Sequence, residues 1–133
     1  MKLRLKLADA FPDTVSLDLM GYRNGSALFK VTKAYRYHSS KGLITIPAGF
    51  ITDGASIPRV FWSILSPYGE YFPAALVHDF LYSQNNIWFT RKESDQLFLE
   101  AMYNIGIGWP IRGTIYSAVR SFGWRSFRGN PQS

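Results

Sequence analysis

The stretch that most constrains the fold is residues 73–82, which is apolar around a whole helix yet contains two adjacent ionisable side chains. Its sequence, Pro-Ala-Ala-Leu-Val-His-Asp-Phe-Leu-Tyr, predicts a buried helix. His78, Asp79 and Tyr82 fall within one arc of that helix. Burying ionisable groups costs free energy unless each finds a hydrogen-bonding partner or a metal. The rest of the fold must therefore supply partners for His78 and Asp79.

The next helix supplies one partner. Thr90-Arg-Lys-Glu93 fits a capping box, so we expect a helix to begin at Thr90. Asp95 lies on the apolar face of that helix and points toward the core. A short connection favours antiparallel neighbours, and the midpoint between positions 78 and 95 falls inside the predicted loop. The sequence therefore predicts an antiparallel helical hairpin that places Asp95 opposite His78.

This pairing suggests a catalytic or metal site. A carboxylate that holds one imidazole nitrogen leaves the other nitrogen as a general base or a metal ligand. Asp79 would then bind a divalent cation, calcium or zinc, through oxygen. Asp53 ends a predicted strand and would bring a second carboxylate to that cation.

A structural interpretation competes with this one. The ionisable cluster would then be a satisfied polar network that fixes the register of the helices, with Arg112 or Arg120 as counter-ions. In the segment Thr52-Asp-Gly-Ala-Ser-Ile-Pro58, an Asp-Gly turn followed by an N-cap at Ser56 explains most residues without any function. Both interpretations stay open on the sequence alone.

The periodicity of the chain predicts an α+β fold. The first 52 residues alternate apolar and polar side chains between turn residues, which indicates a small, mostly antiparallel sheet. The predicted strands are 2–7, 14–20, 27–37, 43–46 and 50–52. About four helices follow, beginning near Ser56, Pro73, Thr90 and Trp109.

Length and composition bound the class of protein. The chain has 133 residues, which suits a single domain over 1–133 with one core. It contains no cysteine, which excludes disulfides and thiolate metal sites. Its start lacks the continuous apolar core of a signal peptide, and no apolar run is long enough to span a membrane. We therefore expect a soluble protein of a cytoplasm.

The formal net charge of +6 is unevenly distributed. Residues 51–100 carry three basic and six acidic side chains, whereas residues 101–133 carry four arginines and no acid. Positive charge favours anionic partners such as a lipid headgroup or an acidic protein surface. Arginines interleaved with aromatic side chains form a candidate surface for such a partner: Arg112, Arg120, Trp124 and Arg125. Four arginines are too few for us to expect specific nucleic-acid binding, and an amphipathic helix with solvated arginines is the alternative.

The segment His78-Asp-Phe-Leu-Tyr82 resembles the His-Asp-x-x-Tyr motif of secreted, calcium-dependent phospholipases. By analogy with that family, His78 would activate water, Asp79 would hold calcium and Asp95 would orient the histidine. Tyr82 would be a supporting hydroxyl. The resemblance covers only the hairpin, and the disulfides of that family are absent.

Several spaced motifs also resemble the phage and prophage family known as domain of unknown function 1353. They are Thr-Asp-Gly-Ala-Ser-Ile-Pro, His-Asp-Phe-Leu-Tyr, Arg91 with Asp95, and Tyr-Ser-Ala-Val-Arg-Ser-Phe-Gly at 116–123. The resemblance runs from about residue 50 to residue 123. It implies a viral origin and no particular activity.

Two functional hypotheses follow. The first is a phage-encoded, metal-assisted hydrolase of esters or phosphoesters, in which His78 is the base, Asp95 orients it and Asp79 with Asp53 holds the cation. The second is a non-enzymatic virion, tail or assembly protein that binds other phage structural proteins through its basic aromatic C-terminal region. Such a protein would lie in the host cytoplasm or be incorporated in the virion.

Overall fold

The computed structural model describes residues 7–54, 56–67 and 69–129. The strands are β1 Leu17–Arg23, β2 Ser26–Val31, β3 Tyr35–Ser39, β4 Gly42–Ile46 and β5 Ile51–Thr52. The α-helices are α1 Leu7–Ala10, α2 Phe72–Tyr82, α3 Arg91–Ile105 and α4 Trp109–Phe122, and two 3-10 turns lie at Arg59–Phe61 and Gly123–Arg125. Strands precede the three longer helices, so the α+β class predicted from the sequence is confirmed. Within the described residues, no helix is both long and apolar enough to cross a bilayer.

The strands form two small antiparallel sheets. In the first, β2 pairs with β1 on one edge and with β5 on the other. The β1–β2 hairpin turns at Asn24-Gly25, whose φ angles of 51° and 80° are those of a two-residue hairpin turn. β5 also contacts α2, which places Thr52 beside that helix. The second sheet is the β3–β4 hairpin.

The predicted strands differ from the observed ones in three places. The run predicted at 27–37 is divided between β2 and β3, which belong to different sheets. The strand predicted at 14–20 is β1, which continues through Gly21 to Arg23, and the φ of 139° at Gly21 accommodates a bulge in the register with β2. Of the strand predicted at 2–7, residues 2–6 lie outside the described residues and Leu7 begins α1.

Local signals position α2 and α3. The side chain of Thr90 accepts a hydrogen bond from the backbone N–H of Glu93, and the side chain of Glu93 accepts one from the backbone N–H of Thr90. This is the predicted capping box. Gly106 ends α3 in the left-handed conformation, with a φ of 101°. The two helices pack side by side, which confirms the predicted hairpin.

The prediction of a helix beginning near Ser56 is wrong. Only a 3-10 turn, Arg59–Phe61, forms there, and three helices rather than about four follow the strands. Pro58 precedes that turn, and no side chain caps it. The physical reason is that the hydroxyl of Ser56 is used in a tertiary contact, so the segment gains no N-cap to start a longer helix.

A buried tyrosine joins the second sheet to the helices. Tyr37 on β3 is fully buried and its hydroxyl donates to Oε1 of Glu100 on α3 at 2.6 Å. Asn104, one turn further along α3, donates from its amide to the same hydroxyl at 3.1 Å. The core therefore lies between the sheets and the α2–α3 hairpin, with α4 packed on α3.

Candidate active site

The centre of the candidate site is the pair His78 and Asp95, whose side chains are both fully buried. Nε2 of His78 lies 2.9 Å from Oδ1 of Asp95. An ionised carboxylate only accepts hydrogen bonds, so Nε2 carries the proton and donates it. The hairpin geometry read from the sequence predicts this contact, and the structure contains it.

Asp95 accepts hydrogen bonds from further side chains. The hydroxyl of Tyr82 donates to Oδ1 at 2.6 Å, and Nη1 of Arg120 donates to Oδ2 at 2.7 Å. Nη1 of Arg91 lies 3.5 Å from Oδ2. Burial alone would raise the pKa of Asp95, but the hydrogen bonds, with that from His78 first, hold the pKa below its ordinary value. Asp95 is therefore an ionised carboxylate beneath the imidazole.

Ser56 occupies the other side of the imidazole. Its Oγ lies 3.1 Å from Nδ1 of His78. With the proton of the neutral ring on Nε2, Nδ1 is an acceptor, and the serine hydroxyl donates to it. Asp95, His78 and Ser56 thus form a continuous acid–base–hydroxyl chain. Sequence analysis missed Ser56 because an N-cap explained it equally well.

Asp79 contacts the same serine. Its carboxyl accepts from the hydroxyl of Thr52 and shares a hydrogen bond with the side chain of Ser56. Burial raises the pKa of Asp79, and the negative charge of Asp53 adds to that rise. The hydrogen bonds that Asp79 makes with Thr52 and Ser56 act in the opposite direction and lower its pKa.

The predicted metal ligands do not form a metal centre by themselves. Both nitrogens of His78 are engaged, and Asp79 is occupied by two hydroxyls. Asp53 lies close enough for its charge to affect Asp79. In the part of the chain that the structure describes, no three His, Cys, Asp or Glu side chains form a group that could hold a metal ion. The predicted divalent cation stays a prediction, and no step below depends on it.

The buried cluster of Asp95, His78, Ser56 and Asp79 lies next to a cavity. Exposure rises from none at Asp95 and His78 to 5% at Ser56 and 9% at Asp79. Thr52, which donates to Asp79, also lines a cavity of about 210 Å³ together with Asp53. The candidate site therefore lies inside the protein, with the cavity next to its outer end. Within the described residues, every buried side-chain nitrogen and oxygen has a hydrogen-bond partner.

The four predicted anion-binding residues differ in their contacts and in their exposure. Arg112 donates to the backbone carbonyl of Ile107 and packs over the ring of Tyr103. The side chain of Arg120 is directed to Asp95, so it is a counter-ion of the buried site. Trp124 is 61% exposed, and the guanidinium of Arg125 lies 5.3 Å from its ring centre. Of the four predicted residues, these last two are exposed.

Comparisons with known proteins identify one family. The family described as "Protein of unknown function (DUF1353)" matches residues 29–119, more than half of the chain. An "Uncharacterized protein y4jT" from Sinorhizobium fredii (strain NBRC 101917 / NGR234) is 32% identical over 100 residues. That alignment covers 72% of this chain but only 29% of the relative, so the chain spans less than a third of that protein's length. No solved structure matches the chain. The matched segment contains Ser56, His78, Asp79, Tyr82 and Asp95, and it ends one residue before Arg120.

Proposed function

The chain belongs to the family of proteins of unknown function DUF1353, and from its buried side-chain cluster we propose that it is a hydrolase with Ser56 as nucleophile. His78 is the general base and Asp95 orients it. The proposal rests on one observation: His78 contacts Asp95 through Nε2 at 2.9 Å and Ser56 through Nδ1 at 3.1 Å. A nucleophile bonded to a base that is itself oriented by a third group is the arrangement that activates serine hydroxyls.

The chain of contacts defines each step. Oγ of Ser56 forms a bond to the carbonyl carbon of an ester while its proton passes to Nδ1 of His78. Asp95 stabilises the imidazolium that results, because its ionised carboxylate faces Nε2. The imidazolium then gives that proton to the departing alcohol, leaving an acyl group on Ser56. Water attacks the acyl group, loses a proton to His78, and the proton returns to Ser56 as the acid leaves.

Asp79 has a supporting part in this scheme. Burial raises its pKa, so its carboxyl keeps a proton to a higher pH than an exposed aspartate does. When it is protonated, its O–H can donate to Oγ of Ser56 and stabilise the negative charge that develops there as the serine proton leaves. Thr52 fixes the orientation of this carboxyl by donating to Oδ2.

The charges around Ser56 favour a neutral carboxylic ester over a phosphoester. Asp53 carries a negative charge that affects Asp79 next to the serine. Like charges near one another are unfavourable, so an anionic phosphoester would be repelled at this end of the site. Arg120 and Arg91 lie on the far side of Asp95 and contact the carboxylate rather than the serine. The phage or prophage origin and the host-cytoplasm location stay predictions from the sequence.

Hydrolysis of 4-nitrophenyl butyrate tests the proposal. The wild type is expected to exceed Ser56→Ala by about 10⁴-fold, or until the variant reaches the background rate, because one member of a serine–histidine–aspartate unit is removed. Ser63→Ala is the matched control, since Ser63 is exposed and lies in the same loop region. It should hydrolyse the ester as the wild type does.

Two results would contradict the proposal. Equal rates for the wild type and Ser56→Ala would show that the serine is not the nucleophile. Loss of activity in a chelator, with recovery on adding calcium or zinc, would instead favour the metal-assisted hydrolase predicted from the sequence. Circular dichroism of each variant confirms that it is folded.

A second candidate is the non-enzymatic virion or assembly protein. The observation that favours it is the exposure of large aromatic side chains at the ends of α4: Trp109 at 72%, Phe122 at 60% and Trp124 at 61%. Exposed aromatic groups beside arginines are typical of protein interfaces. Stoichiometric amounts of the chain in purified phage particles would support this candidate, and its absence from them would count against it.

A further inference from the structure

A cavity of about 210 Å³ lies beside the candidate active site. Part of the lining comes from β2, which contributes Ala27 and Phe29, and another part comes from α2, which contributes Phe72 and Ala75. Trp62 lines the cavity between them and is fixed by a 2.9 Å hydrogen bond from its indole N–H to the carbonyl of Ile57. The cavity is therefore held by a strand, a helix and an anchored aromatic ring.

The lining gives the cavity its chemical preference. Most of it is aliphatic or aromatic, so it favours apolar groups that leave water. Its volume compares with the apolar cavity of about 150 Å³ that holds a benzene molecule in another protein. A phenyl group or an alkyl chain of about six carbons is the size that fits.

The lining also includes a few polar side chains, Ser26 and Ser66 among them, and two of these residues lead to the buried cluster. Thr52 and Asp53 line the cavity, and Gly54 and Ile57 line it from either side of Ser56 in the sequence. Thr52 also contacts Asp79, which contacts Ser56. The mostly apolar lining disfavours a carboxylate, because a buried charge loses its hydration. The preferred ligand is consequently neutral and mostly apolar.

We propose that this cavity binds the neutral apolar acyl group of the substrate ester, of phenyl to hexyl size, beside Ser56. The inference rests on the proposed hydrolase for its substrate role. The binding itself depends only on the cavity: a neutral alcohol such as 1-hexanol should enter it, and the hexanoate anion should bind more weakly. Hydrolysis of 4-nitrophenyl esters should rise from the acetate to the hexanoate ester and fall for the dodecanoate ester.

Fluorine NMR of protein labelled with 5-fluorotryptophan measures binding without any reaction. Trp62 lines the cavity, whereas Trp88, Trp109 and Trp124 are each more than 60% exposed. Addition of 1-hexanol should shift the Trp62 resonance saturably and leave the others nearly unchanged. Trp62→Phe assigns the resonance.

Two variants fill the cavity from two different elements of the fold. Ala75→Leu on α2 and Ala27→Leu on β2 should each weaken 1-hexanol binding by about tenfold or more, which corresponds to about 1.4 kcal/mol. Ala118→Leu makes the same change on α4, away from the cavity, and should bind as the wild type does. Two independent walls keep the test valid if one variant does not fold.

The outcomes separate the cavity from the hydrolase. No saturable shift of Trp62 with 1-hexanol overturns the inference, even if ester hydrolysis by Ser56 is found. Ester hydrolysis with no dependence on acyl length also overturns it and leaves the hydrolase standing. Binding of 1-hexanol without Ser56-dependent hydrolysis of any ester overturns the substrate role and the proposed function together. Saturable binding, weakened by both leucine variants and matched by the acyl-length profile, supports it.

Discussion

Replacing Asp95 with asparagine is the change that most directly probes how the buried cluster is stabilised. The carboxylate accepts from His78, Tyr82 and Arg120 at 2.9, 2.6 and 2.7 Å. Asparagine retains the shape of the side chain but replaces one acceptor oxygen with an NH2 donor. Whichever way the amide is turned, that donor faces either the Tyr82 and His78 donors or the guanidinium of Arg120.

The contacts of Asp95 set the expected magnitude. A hydrogen bond to a charged group contributes about 1.5–3 kcal/mol, and breaking a buried ion pair by removing one partner costs about 3–5 kcal/mol. Because Asp95 is fully buried, we expect Asp95→Asn to lower the free energy of unfolding by about 3–5 kcal/mol. That loss is a large part of the roughly 5–15 kcal/mol that stabilises a typical domain.

Urea denaturation followed by circular dichroism measures this loss. The midpoint should fall while the slope stays near that of the wild type, since the same surface is exposed on unfolding. Asp18→Asn is the matched control, because Asp18 is exposed on β1, and it should leave the midpoint nearly unchanged. A loss under about 1 kcal/mol for Asp95→Asn would refute the reasoning.

Two further predictions concern Asp79 and Gly123, which lie at other positions in and around the buried site. Burial raises the pKa of Asp79, so the stability that it contributes is present below its ordinary pKa of 3.8 and is lost as the pH rises through the raised value. Asp79→Asn mimics the protonated form. As the pH rises from about 4 to 7, the urea midpoint of this variant should therefore fall less than that of the wild type. An equal fall in the two proteins would contradict this. A Cβ at Gly123 would overlap the hydroxyl of Tyr82. Gly123→Ala should therefore lower the free energy of unfolding clearly in the wild type and less in a Tyr82→Phe background. Equal losses in this double-mutant cycle would contradict the prediction.

The helical hairpin could be predicted because its signals are local. The capping box at Thr90 places the start of α3, and an antiparallel pair equidistant from a short loop places Asp95 opposite His78. These features need no information about the rest of the fold. The structural interpretation of the sequence names Arg112 or Arg120 as a counter-ion of the buried cluster, and Arg120 is the one that contacts Asp95.

Ser56 could not be predicted because its contact is tertiary. The sequence Asp-Gly-Ala-Ser has a sufficient local explanation as a turn and an N-cap, and nothing local indicates the contact with His78, 22 residues away. The division of the run at 27–37 into β2 and β3 has the same origin. Periodicity reports which face of a strand is buried, but it does not report which sheet the strand joins.

The central claim is that His78 activates Ser56, and covalent labelling tests it without knowledge of the natural ester. A fluorophosphonate probe is attacked by an activated serine and releases fluoride, and mass spectrometry locates the modified residue. We predict modification at Ser56 in the wild type and in Ser63→Ala, and much slower modification in a folded His78→Gln variant. Unmodified Ser56 in the folded wild type, or an equal labelling rate without His78, would contradict the account.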